Sequence, residues 1–111
     1  ALALKFSTVT VRNSIFIGDH APSVAQVLVE ESEVTFVYND VWGSSDGFVG
    51  MDDPTGNDGN LSEDPEFVDE SGGDFSLDGG SPCVDAGHPT QTDPDGSRAD
   101  MGAYGGSGGS W

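Results

Sequence analysis

The chain has 111 residues, and its 20 acids against only Lys5, Arg12 and Arg98 give a formal charge of −17. Nucleic acid and anionic membrane surfaces are therefore poor partners, and cations are natural ones. The length fits one small domain that cannot bury a large core unaided; Cys83, the one cysteine, leaves no internal disulfide to staple it; and no apolar run approaches the roughly 18 residues of a membrane span.

Taken in chain order, Ala1–Phe6 alternates apolar and small residues and is too short for a signal peptide. Ser7–Val11 has the period of two of a half-buried strand, and Arg12-Asn13 is a turn. Ser14–Ile17 is a second strand ended by Gly18-Asp19, residues 20–23 form a loop, and Val24–Glu30 is a further strand. Laying Val11–Phe16 over Val37–Trp42 pairs apolar with apolar and Asn13 with Asn39 at an offset of 26 residues. A period in that range marks stacked repeats. It predicts Asn13 stacked on Asn39, Val11 over Val37 and Ile15 over Val41 inside, and Phe16 over Trp42 outside. Asn suits such a ladder because it tolerates the left-handed turn and its amide bonds along the stack. That outer aromatic column is either a platform for a sugar ring, with a polysaccharide as ligand, or the surface that Phe67 and Phe75 cover. Tyr38 falls on the same outer face, beside Arg12, as a cation-π pair.

Fifteen of the acids lie between Asp46 and Asp100, set among Gly, Asn and Ser. Two carboxylates about 8 Å apart repel by roughly 0.5 kcal/mol even in water, so this density favours neutralisation by divalent metal. The segment Asp93-Pro94-Asp95-Gly96-Ser97-Arg98-Ala99-Asp100 sets Asp93, Asp95 and Asp100 around a glycine reversal, an arrangement that can direct hard oxygens at Ca²⁺. It lacks the closing Glu of an EF-hand. The alternative is an Asx-turn with Arg98 paired to Asp85 or Asp100. A second candidate site comprises Asp52, Asp53, Asn57, Asp58 and Asn60, with Asp64 beside it; the alternative there is a solvated, mobile hairpin. His20 and His88 are flanked by turn residues and read as exposed, and Cys83 after Ser81-Pro82 reads as a small buried residue.

From Asn60 to Gly106, four signposts place apolar anchors between turn formers: Asp64–Asp69, Gly73–Leu77, Gly80–Gly87 and Arg98–Gly105. Their order and wording resemble the C-terminal end of secreted bacterial right-handed parallel β-helix proteins, the group that includes polysaccharide lyases and surface adhesins. The resemblance implies an all-β fold: a short right-handed parallel β-helix of about two to three coils, with an irregular C-terminal wrap acting as cap. The expected divisions are coils over 1–45, an Asp/Gly/Asn-rich loop over 46–62, the capping wrap over 63–106 and a linker-like tail over 107–111. An open N-terminal coil predicts head-to-head self-association.

Lyases of that group use a basic residue and Ca²⁺ on the uronate, but Lys5, Arg12 and Arg98 occupy no recognisable catalytic setting. No nucleophile elbow or Cys–His pairing is present either, so no residue is assigned a catalytic role. The expectation is a calcium-binding, non-catalytic terminal module of a secreted or cell-surface protein, with metal linked to folding. A carbohydrate-binding module and a lyase fragment are the alternatives.

Overall fold

The computed structural model describes residues 2–18, 27–43 and 47–109. The described residues are all-β, with no helix. The strands are β1 (Leu2–Lys5), β2 (Thr8–Arg12), β3 (Ile15–Ile17), β4 (Val27–Glu30), β5 (Glu33–Val37), β6 (Asp40–Trp42), β7 (Phe48–Val49), β8 (Phe67–Asp69) and β9 (Asp74–Leu77). Three small sheets are parallel, ordered β1-β4-β7, β2-β5 and β3-β6, while β8 and β9 form an antiparallel hairpin. The loop expected over 20–23, the start of the Val24–Glu30 strand, and His20 lie outside the described residues.

Pairing proceeds in steps. Leu2 lies beside Val27, Thr8 beside Glu33 and Ile15 beside Asp40, so the second layer follows the first by 25 residues. The third follows by 21, with Phe48 beside Val27 and Leu61 bridging Asp40. Left-handed residues at the corners repeat the longer step: Phe6 (φ 50°) over Glu31 (φ 45°), and Asn13 (φ 54°) over Tyr38 (φ 54°). Such backbone costs about 1–3 kcal/mol per non-glycine residue. Bonds between layers offset it, as where Asn13 N donates to Tyr38 O at 2.8 Å.

The 26-residue offset is thus corrected to 25. A one-residue slip in a strand exchanges its two faces, and burial decides between them. At the observed register Val11 meets Phe36 and Phe16 meets Val41. Phe36 and Val41 are buried in one cluster with Val27 and Val29, against which Val11, Phe16, Val34, Phe48 and Met51 pack. At an offset of 26, Trp42 would stand beside Phe16 and Val41 beside Ile15. Asn13 therefore does not stack on Asn39. The asparagine ladder runs from Asn39 to Asn60, with Ser14 in the first layer: Ser14 N donates to Asn39 Oδ1, and Asn39 N to Asn60 Oδ1.

A second cluster forms outside these layers. Leu77, Cys83 and Met101 pack with Ile15, Tyr38, Leu61, Phe67, Val84 and Ala86. Ile15 and Phe16, adjacent on β3, thus serve opposite faces of one wall. The C-terminal segment lies along that wall and touches all three layers.

Candidate functional site

Where the segment meets the wall, each layer contributes a partner. In the first, Asn13 O accepts from Gly102 N, Asn13 Oδ1 from His88 N, and Asn13 Nδ2 donates to Gln91 Oε1 at 2.6 Å. In the second, the Tyr38 ring takes the edge of His88 at 5.0 Å between centroids and the Arg98 guanidinium at 5.5 Å. Arg98, not Arg12, is therefore the cation on Tyr38. In the third layer Leu61 packs on Leu77, Cys83 and Met101, and Gly59, with φ +76°, faces the Tyr38 ring so closely that a Cβ would run into it. His88 is half-buried rather than exposed.

At the centre of this contact lies a pair that sequence reasoning missed. Asp40 and Cys83 are both fully buried, and the Cys83 thiol donates to Asp40 Oδ2 at 3.4 Å, while Glu63 N donates to Asp40 Oδ1 at 3.1 Å. Burial pushes the Asp40 carboxyl up, and the charges of Glu63 and Asp64 add to this; the Glu63 N–H and the thiol oppose it. Burial chiefly, with Asp40 beside it, raises the Cys83 thiol too, so it is a protonated, inert group in the fold. The available signal was an acid set between Val37 and Val41 and a lone cysteine after Ser-Pro. Neither hint names the other as its partner.

The loop expected to hold calcium over 93–100 is built largely from its own hydrogen bonds. Asp93 is buried, and its carboxylate accepts from Asp100 N at 3.1 Å and from Gly106 N. Asp100, also buried, accepts from Asp85 N at 2.6 Å. Burial raises the Asp100 carboxyl against that N–H, with the charges of Asp93, Asp85 and Asp95 adding to the rise. Asp95 is turned to Ser97, whose Oγ and N both donate to it, and these bonds lower its pKa. Arg98 makes no ion pair with Asp85 or Asp100; its Nε donates to Gly87 O at 2.7 Å. Among the described residues the ion pair is Lys5 with Glu30, at 3.7 Å.

In the second expected site, Asp53 Oδ1 accepts from Thr55 N, and Asp64 Oδ1 from Glu66 N. Asn60 is buried in the ladder, with Nδ2 donating to Phe36 O and Asn57 O. Asn57 and Asp58 offer backbone carbonyls to the fold, the latter to Tyr38 N at 3.0 Å, and Asp52 is exposed. No group of three His, Cys, Asp or Glu side chains is gathered for a metal among the described residues.

Phe16 and Trp42 do not form a column. Phe16 faces inward, with its ring 6.0 Å from that of Phe36, while Trp42 pairs with Ile17 and is exposed. Outside the wall Phe67 and Phe75 also pack edge to face, at 5.4 Å. With Ile15, Ile17, Gly102, Ala103 and the polar Asn13 and Ser14 this pair lines a groove of about 510 Å³. Compared with protein-family models, with curated proteins and with solved structures, the chain shows no match.

Proposed function

We propose that this chain is a non-catalytic structural module that terminates a right-handed parallel β-helix, with its C-terminal segment acting as a lateral strap. One observation carries this: the segment after Glu63 bonds or packs against Asn13, Tyr38, Asp40 and Leu61, which belong to three successive layers. A strap of this kind resists separation of the layers because each would have to surrender its own contact. The steps of 25 and 21 residues, with stacked left-handed corners, support the helical path. The wording of the C-terminal signposts extends the proposal to a secreted or cell-surface protein.

Calcium enters this proposal as a counter-ion to the exposed acids, linked to folding by preferential binding to the native state. The thermal midpoint is expected to be higher in calcium chloride than in sodium chloride of equal ionic strength, and lowest with chelator. Equal midpoints would remove calcium and leave the strap. The strap has its own test in Cys83, which is masked where segment and wall meet. Thiol labelling along a urea gradient is expected to rise together with the loss of far-ultraviolet circular dichroism. Labelling well before that loss would mean that the strap detaches alone, and would overturn its role.

A further inference from the structure

The first layer is built like the second but is less covered. In the second, Val27, Val29, Phe36 and Val41 are 0%, 6%, 4% and 5% exposed. Their register partners Leu2, Leu4, Val11 and Phe16 are apolar too, yet only half-buried. Among the described residues β1, β2 and β3 each have one strand neighbour, so each keeps one edge unpaired.

Corner side chains show what such an edge is made to receive. Ser32 Oγ donates to Glu30 O, two residues back, and accepts from Ser7 N in the layer before it. Asn39 does the same, with Nδ2 on Val37 O and Oδ1 taking Ser14 N. In the first layer, Ser7 Oγ donates to Lys5 O at 2.9 Å and Ser14 Oγ to Arg12 O at 3.0 Å. The donor half of each corner is thus in place. No described residue donates to either hydroxyl. The charge differs as well: residues 2–18 carry Lys5 and Arg12 and no acid, whereas residues 27–43 carry Glu30, Glu31, Glu33 and Asp40.

We propose that the unpaired edge of β1, β2 and β3 is a docking surface for one further layer of parallel strands, a 25-residue turn of the same design delivered in line at Leu2, with Ser7 and Ser14 as its corner acceptors. This rests on the terminal-module reading for its direction of growth. The occupant is in line with the chain and not a second copy, because the corner side chains Ser32 and Asn39 receive N–H groups from a parallel layer 25 residues away, whereas a second copy would bring a charge of −17 against its like. Leu2 is also the register partner of Val27, the residue where the second layer begins after leaving β3.

The experiment places a duplicate of residues 2–26 ahead of Leu2 in the full chain and follows amide hydrogen exchange by NMR. Exchange in the resident β1–β3 is expected to slow to the rates of β4–β6. Ser14→Ala in the resident layer of the extended chain is expected to undo part of that slowing. A second extended chain, whose duplicate carries Lys5→Glu and Arg12→Glu so that acids face the resident bases, covers the case in which the first misfolds. Resident strands that exchange no more slowly in either version would overturn the proposal. So would sedimentation of the unextended chain as a dimer that protects this same edge. The strap is untouched by the duplication, so Cys83 masking reports separately on the terminal-module reading.

Discussion

The described residues within 2–61 and residues 63–106 satisfy their backbones by different means. In the first region strands bond to strands a layer away, and side chains enter mainly at the corners. In the second the carboxylates take over: Asp64 accepts from Glu66 N, Asp69 from Gly72 N, Asp74 from Ser76 N, Asp78 from Gly80 N and Asp95 from Ser97 N. An aspartate that bonds the backbone two or three residues on fixes a turn locally. The acids crowding this region therefore have a use before any metal is invoked, and the Asp93 carboxylate also takes backbone N–H groups, here from Asp100 and Gly106 farther along the chain. The lesson is that a density of Asp, Gly and Ser can report the number of turns a segment must make.

Substitutions separate the two regions. Phe36→Ala, inside the layers, is expected to cost about 3–5 kcal/mol by chemical denaturation, because Phe36 packs on both Phe16 and Phe48. A much smaller loss would mean that the layers lean on the strap and not on their own core. Asn60→Ala is expected to cost about 1–3 kcal/mol, since it leaves the buried Asn39 N and Phe36 O unmet, and Asn39→Ala is expected to cost less, since its partners Ser14 N and Val37 O are part-buried. Removing Asn13, by contrast, should loosen the strap and not the ladder, because its side chain bonds Gln91 and His88.

That division shows how much was legible. The strands of the first region were readable from Val, Ile and Thr alternation, and the existence of a repeat from its matched segments. The step was misread because Asn13 and Asn39 look alike, while what fixes the register is the inward burial of Phe36 and Val41. The C-terminal anchors were legible as anchors, but their target was not. Placing Cys83 against Asp40 requires a contact between residues 43 positions apart. The metal sites were inferred from residue type alone, which cannot separate a carboxylate aimed at a cation from one aimed at its own turn.

The pH dependence sharpens the comparison further. Burial raises the carboxyls of Asp40 and Asp100, so in the window above the ordinary carboxylate value the folded chain holds more protons than the unfolded one. Stability from these two groups is greatest below that window and falls as pH rises through it. Asp74 and Asp95, lowered by Ser76 and Ser97, act oppositely and below the ordinary value. Urea midpoints taken across the window are expected to decline more gently in Asp40→Asn than in the parent chain. An unchanged slope would mean that the buried pair at the strap does not govern it.

Amide exchange in Met101→Ala tests the central claim most directly, because Met101 is 1% exposed in the outer cluster and lies far in sequence from every layer. The strap account predicts that the amides of Asn13, Asp40 and Leu61, one in each layer, lose protection together with those of the C-terminal segment. Undiminished protection at all three, with only residues near Met101 exchanging faster, would contradict it.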